Sequence, residues 1–161
     1  MLLPRNFINN LFMLVYSYLS MALQQLSNHV IVCGYGLVGE KIVELLQQSG
    51  INFVVIEMDK VKADTLKEKG INVVFGDATY SKVLKEAGIE RAKAIAIATD
   101  DDAKNLFILI TAKSLNSKII IATRANTELV RNKLKEAGAG FIATPNKSAS
   151  EELFRELTKG M

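Results

Sequence analysis

The feature that most constrains this chain is an apolar run that empties into three spaced glycines, His29-Val-Ile-Val-Cys-Gly34-Tyr-Gly36-Leu-Val-Gly39. A second apolar run follows, Asn52-Phe-Val-Val-Ile-Glu57, and ends in a carboxylate. Strand, Gly-x-Gly-x-x-Gly turn, helix and second strand with a terminal acid make up the whole context of a dinucleotide fingerprint. Gly34 allows the tight turn. Gly36 lets a pyrophosphate approach the backbone, and Gly39 lets the helix pack close to the strand. The helix N-terminus offers unpaired N–H groups and partial positive charge to phosphates. Glu57 is placed to accept hydrogen bonds from a ribose diol. An acid there disfavours a 2′-phosphate, so NAD or an adenine nucleotide is preferred over NADP. Lys60 and Lys62 stand near enough to blur that choice.

From residue 28 onward strand and helix patterns alternate without a break. Strands are expected at Val30–Cys33, Phe53–Glu57, Asn72–Phe75, Ala94–Ala98, Lys118–Ala122 and Gly140–Ala143. Helices are expected at Leu37–Gln48, Lys60–Lys69, Ser81–Ala87, Asp101–Leu115, Thr127–Ala137 and Ser148–Leu157. Gly50, Gly70, Gly88 and Gly138 stop four of these helices, as C′ glycines do. Asp100 is the expected N-cap of the fourth. The strands are short and uniformly apolar, the mark of strands buried on both faces of a parallel sheet. The fold class is therefore α/β, a Rossmann-like doubly wound six-stranded sheet of order 3-2-1-4-5-6, with an extra N-terminal helical segment. The organisation reads as residues 1–27, an apolar helical segment; 28–145, the nucleotide-binding domain; and 146–161, a C-terminal helix. The helix after strand four, around Asn105-Leu-Phe-Ile-Leu-Ile-Thr-Ala-Lys113, is apolar on nearly every side. Either it is deeply buried or its outer side meets another subunit.

The N-terminal segment carries no charge from Asn6 to Asn28. Ile8, Phe12, Val15, Leu19, Ala22 and Leu26 alternate at spacings of four and three, a helical seam. Three readings stand open: an amphipathic helix lying on the domain or on a twin subunit, the tail of a membrane helix or an interfacial anchor, and a disordered leader. As a secretory signal it is poor, and as a spanning helix its apolar length is marginal.

Catalytic groups do not gather where the ligand would sit. That place lies beyond the carboxyl ends of the strands, between strands one and four. It holds Gly34 to Val38, Glu57, Gly76-Asp77-Ala78 and Ala98-Thr99-Asp100: glycines, small side chains and carboxylates. The single histidine, His29, precedes strand one at the opposite end and reads as a satisfied edge residue. There is no Tyr-x-x-x-Lys pair and no Ser/His/Asp set. Asp100-Asp101-Asp102 could hold a divalent ion but reads better as helix capping. Arg124 could reach an adenine, a phosphate or a neighbouring subunit, or form a surface ion pair. Cys33, the one cysteine, reads as a core residue and excludes an internal disulfide. The net charge of +3 is spread along helices without a basic run, so nucleic acid is not implied.

The elements Gly34-Tyr-Gly-Leu-Val-Gly39, Glu57, Gly76-Asp77-Ala78-Thr79, Leu84-x-x-Ala87-Gly88-Ile89, Ala98-Thr99-Asp100-Asp101-Asp102 with Asn105, and Gly138-Ala139 before Thr144-Pro145 recur in the order of a known family. The chain resembles the regulator of K⁺ conductance domain, also called KTN or TrkA-N. That resemblance implies a non-catalytic regulatory module that binds NAD(H), ATP or ADP. It places the nucleotide contacts at Gly34, Tyr35, Gly36, Leu37, Val38, Gly39, Glu57, Asp77, Ala78 and Thr99. It implies a homodimer through the helices after strands four and five, including Leu106, Phe107, Leu109, Ile110 and Lys113. It further implies a larger ring in the full protein, a potassium pore in cis or trans, and a place at the cytoplasmic face of the cell membrane. Neither a pore nor a second lobe is in the sequence, so a fragment or a stand-alone subunit is expected. The rival from another class is the cofactor-binding half of an NAD-dependent oxidoreductase, which would need a catalytic His, Lys or Tyr near the nicotinamide.

Overall fold

A computed structural model describes residues 4–161. Helix α1 (Arg5–Gln25) comes first, and the alternating elements follow: β1 (Val30–Cys33), α2 (Leu37–Gln48), β2 (Phe53–Glu57), α3 (Lys60–Glu68), β3 (Val73–Phe75), α4 (Ser81–Glu86), β4 (Ala94–Ile97), α5 (Asp102–Leu115), β5 (Ile120–Arg124), α6 (Glu128–Glu136), β6 (Phe141–Ala143) and α7 (Pro145–Leu157). A short 3₁₀ turn, Ile89–Arg91, lies between α4 and β4. The six strands form one parallel sheet in the order β3-β2-β1-β4-β5-β6. This is the doubly wound order expected from the sequence.

Strand alternation divides the core into two layers. Ile31 and Cys33 point to the face covered by α5 and α6, with Ile95, Ile97, Ile108 and Leu134. Val32 points the other way, with Val43 of α2, Val55, and Ala63 and Leu66 of α3. Register follows from this division, since Ile31 aligns with Val54 and with Ile95. A one-residue slip would turn every buried side chain to the wrong layer. Burial leaves the Cys33 thiol inert, with its pKa pushed far up by desolvation.

Several element ends shift by one or two residues from the sequence reading, and three of these shifts have a clear local cause. The N-cap of α5 is Asp101, whose carboxylate accepts from the Lys104 N–H at 3.0 Å. Asp100 sits one residue too early for that reach. Strand β5 begins at Ile120, not Lys118, because the Asn116 side chain turns the chain by accepting from the Lys118 N–H at 3.1 Å. Ile120 is the residue that pairs with Ala94. Helix α7 starts at Pro145 itself, since proline suits a first helical position where no N–H is needed.

His29 is not an edge residue. It is fully buried, with Nε2 2.8 Å from the Ala87 carbonyl and Nδ1 without a partner. Gly88, in the left-handed region at φ +76°, explains the closeness: a Cβ there would lie 3.1 Å from the imidazole.

Helix α5 is buried on one face only. Asn105, Ile108, Leu109 and Ala112 face the sheet, whereas Phe107 and Ile110 are more than half exposed. Leu109 therefore belongs to the domain's own core and is removed from the expected pairing surface. Helix α1 holds its described apolar side chains in solvent, Phe12 at 70% and Tyr18 at 76% exposure. Residues 1–3 of the N-terminal segment, and the side chains of Leu19 and Ala22 in its seam, lie outside the described residues.

Candidate functional site

The glycine loop is locked from below. Gly34 has φ +89°, a conformation that L side chains rarely adopt, and a Cβ there would meet Thr99 at 3.3 Å. A Cβ on Gly39 would fall 1.9 Å from the Gly34 carbonyl oxygen, so only glycine lets α2 pack this close to the end of β1. The loop is open above: a Cβ on Gly36 would meet nothing within 4 Å. Gly36 is also the N-cap of α2, and no side chain caps that helix. The free N–H groups of the first turn, with the positive end of the helix dipole, therefore face open space.

Glu57 does more than the sequence reading gave it. It is 6% exposed, and both carboxylate oxygens already accept backbone N–H groups: Oε2 from Tyr35 at 2.8 Å and Oε1 from Asp59 at 2.8 Å. It ties the glycine loop to the end of β2. Each oxygen keeps a second lone pair, so a ribose hydroxyl can still donate to it.

The adjoining cleft has a volume of about 170 Å³ and is lined by Gly34, Glu57, Met58, Gly76, Asp77, Ala78, Thr99 and Lys104, among others. This is less than the roughly 300 Å³ of an enclosed small-molecule pocket, so a nucleotide would occupy it in part and extend over the glycine loop. Of the ten residues expected to touch nucleotide, Gly34, Glu57, Asp77, Ala78 and Thr99 line the cleft. Gly36, Leu37, Val38 and Gly39 form the α2 N-terminus beside it, with Leu37 90% exposed. The Tyr35 side chain packs against the α2 and α3 core layer, so only its backbone faces the loop.

Asp77 carries the cleft's charge. Its Oδ1 accepts from the Thr79 N–H at 2.9 Å and the Thr79 hydroxyl at 2.8 Å, and Lys104 Nζ stands 3.9 Å from Oδ2. Partial burial pushes its pKa up, but the two Thr79 bonds and the Lys104 charge outweigh that and hold the carboxyl below its ordinary value. Lys104 also points its ammonium at the Met58 sulfur, 3.3 Å away. The sequence reading missed Lys104 and Met58. The available signal for Lys104 was its place in the first turn of α5, three residues after the cap.

Asn105 holds the back wall. Fully buried, it donates from Nδ2 to the Thr99 carbonyl at 3.0 Å and to the Arg124 carbonyl at 3.2 Å, and its Oδ1 accepts from the Thr99 hydroxyl at 2.6 Å. It thus joins the ends of β4 and β5 to α5. Arg124 donates from Nη2 to Asn126 at 2.9 Å, and its buried Nε has no partner. The three adjacent aspartates diverge: Asp101 caps α5, and Asp102 accepts from the Asn126 N–H at 3.0 Å. Among the described residues no group of three His, Cys, Asp or Glu side chains could hold a metal ion.

Comparison with known proteins bears on the family and the fold. The TrkA-N domain family model matches residues 30–145. Potassium channel protein 1 of Methanocaldococcus jannaschii is 38% identical over 125 residues, 76% of this chain and 38% of that protein. A Trk system potassium uptake protein TrkA homolog of Pyrococcus abyssi is 32% identical over 136 residues, 80% of this chain and 60% of that protein. The chain thus spans less than two thirds of the length of either relative. Among solved structures, the TrkA-N domain of the inner membrane protein ybaL from Escherichia coli superposes with a TM-score of 0.80 at 28% identity, covering 83% of this chain and 98% of that one. GsuK bound to ADP superposes at 0.72 with 29% identity, covering 89% of this chain and 37% of that one. The NAD-bound GsuK channel shares the fold at 0.68 with 24% identity, covering 75% of this chain and 22% of that one.

Proposed function

This chain belongs to the TrkA-N domain family, and from that premise we propose that it is a ligand-binding regulatory domain of a potassium channel or transporter. It binds NAD(H), ATP or ADP, and binding is coupled to gating of potassium movement at the cytoplasmic face of the cell membrane. The observation that carries the reading is the uncapped N-terminus of α2 under the open space at Gly36, with Gly39 pressed on the Gly34 carbonyl. Phosphates suit the free N–H groups there. The ribose suits Glu57, and the remainder of the ligand suits the wall made by Asp77, Ala78 and Thr99. Nucleotide-bound relatives of the same fold support that assignment.

The domain acts as a receptor rather than as an enzyme. The groups around the cleft are carboxylates, small side chains and one lysine paired to Asp77, a set suited to holding a ligand. Gating then requires differential binding: the nucleotide must prefer one arrangement of paired domains, and only that difference moves a pore. Helices α5 and α6 supply the pairing surface, with Phe107 and Ile110 exposed on α5. The pore lies in the same polypeptide or in a separate one.

Isothermal titration of the chain with NAD, NADH, ATP and ADP tests the first step. Saturable binding of at least one is expected, and it should be lost when Gly39 is replaced. No binding of any at millimolar concentration would remove the reading. Steady oxidation of NADH by the purified chain with a carbonyl substrate would move it to the oxidoreductase class.

A further inference from the structure

Helix α1 has no role in the nucleotide cleft. It joins the domain at the opposite end of the sheet, where the Asn28 N–H donates to the Arg91 carbonyl at 2.8 Å and Arg91 Nε donates to the Leu26 carbonyl at 3.1 Å. Its 21 residues run about 31 Å, close to the roughly 30 Å of a bilayer's hydrocarbon core. No helix among the described residues is nonetheless long and apolar enough to cross a membrane.

Placed on a wheel at about 100° per residue, the side chains from Asn6 to Tyr18 separate into two sectors. Asn6, Asn9, Asn10 and Ser17 share a polar sector of roughly 100°, which Met13 alone interrupts. Opposite it lies an apolar sector of roughly 200°, centred on Val15 with Leu11 and Ile8. Phe12 and Tyr16 extend one flank, and Phe7, Leu14 and Tyr18 form the other. All of these apolar side chains are exposed, and nothing on the domain covers them.

We propose that α1 lies in the plane of a lipid surface, sunk to about half its circumference. Two features select lipid over a second helix. A coiled-coil seam uses only the narrow stripe of Ile8, Phe12 and Val15, and would leave Phe7, Leu14 and Tyr18 in water. A helix at a lipid–water boundary immerses a half cylinder, which is the width of the sector found. The polar sector is the reason it lies flat, because a spanning pose would put Asn9, Asn10 and Ser17 into hydrocarbon. The second feature is charge. There is none from Asn6 to Asn28, so apolar insertion drives binding and no anionic headgroup is needed. The full-length helix floats on neutral phosphatidylcholine as well as on mixed anionic vesicles. The cleft, at the other end of the sheet, stays in water. Attachment through α1 does not depend on what the cleft binds.

Flotation of the whole chain with phosphatidylcholine vesicles tests this. Wild type is expected in the lipid fraction, equally with added phosphatidylglycerol and at high salt. Val15→Glu, at the sector's centre, should lower the bound fraction about tenfold, the effect of about 1.4 kcal/mol. Ser17→Glu, on the polar side, should leave it unchanged. The flank variant Phe7→Ser with Leu14→Ser separates the two partners: it should weaken vesicle binding but spare a seam dimer. Thermal unfolding of each variant confirms an intact sheet domain. Absence from the lipid fraction, or a helix dimer in sedimentation that the flank variant leaves intact, overturns the proposal. Flotation only with anionic vesicles overturns it too.

Discussion

Gly36 and Gly39 occupy the same motif for opposite reasons. At Gly39 the added methyl of alanine would collide with the Gly34 carbonyl, a backbone atom that cannot turn aside. Gly39→Ala is therefore expected to destabilise the domain by about 1–3 kcal/mol or more, read as a lowered urea midpoint, and to abolish nucleotide binding with it. At Gly36 the methyl meets only open space, and the residue has an ordinary extended backbone. Gly36→Ala should leave the urea midpoint within about 0.5 kcal/mol of wild type and weaken nucleotide binding alone. Equal effects on stability would show that the space over Gly36 is not where the ligand goes. Glu57→Gln tests the residue that ties the loop to the end of β2. The amide NH₂ cannot accept, so one of the Tyr35 and Asp59 N–H groups loses its partner, at a cost of about 1–3 kcal/mol.

His29 gives the domain a pH dependence of defined sign. Burial lowers its pKa below the ordinary 6.5, against the raising effect of its bond to the Ala87 carbonyl. The unfolded chain therefore takes up the proton first. Stability is fully present above 6.5 and is lost as pH falls from there through the depressed folded value. Asp77 acts lower: its carboxyl is held below the ordinary 3.8, so its contribution is lost only in stronger acid. Urea midpoints should fall between about pH 7 and pH 5, and His29→Gln, which can still donate to the Ala87 carbonyl, should flatten that fall. A wild-type midpoint constant across this range would mean that His29 takes up its proton equally readily in the folded and the unfolded chain.

At the scale of elements, what was legible depended on whether a local pattern had one meaning. The strands at Val30–Cys33 and Phe53–Glu57 and the α2 helix were readable to the residue, because uniform β-branched runs bounded by a glycine turn and a terminal acid admit no other pairing. The start of β5 was not. Lys118 and Ile119 look like strand, and only the side chain of Asn116, folded back on the Lys118 N–H, delays the strand to Ile120. The cap of α5 was off by one because three aspartates stand in a row and nothing local chooses among them. Leu109 was placed on the pairing surface by the family resemblance, and a helix apolar on nearly every side has no periodicity that would have marked it as buried. Asn105 was visible in the motif, but not its three bonds to the ends of two strands. Asn105→Ala should open the Thr99 wall, leave the Thr99 carbonyl without its Asn105 donor and leave the Arg124 carbonyl with only the Thr123 hydroxyl. A loss of about 2–4 kcal/mol in urea is expected, along with a weaker cleft. Retained stability with full binding would mean that this network merely accompanies the site.

For the whole molecule the decisive quantity is the coupling between cleft and pairing surface. Lys104, beside Asp77, and Phe107, exposed on the outer face, lie on the same helix, so α5 would link the cleft to the proposed pairing surface. If a nucleotide prefers one arrangement of the pair, linkage requires the reciprocal: pairing must strengthen nucleotide binding by the same factor by which nucleotide strengthens pairing. A coupling of about 1–3 kcal/mol makes that factor roughly 5- to 150-fold. Sedimentation equilibrium with and without ADP measures one side of the cycle, and titration of ADP into dilute and concentrated chain measures the other. Phe107→Asp should hold the chain monomeric, leave ADP binding at its dilute-chain value and remove the dependence on concentration. Binding that is identical at all concentrations in wild type, over a range where the chain does pair, would mean that the cleft holds its ligand without informing the partner. The regulatory reading would then fail even with the nucleotide in place.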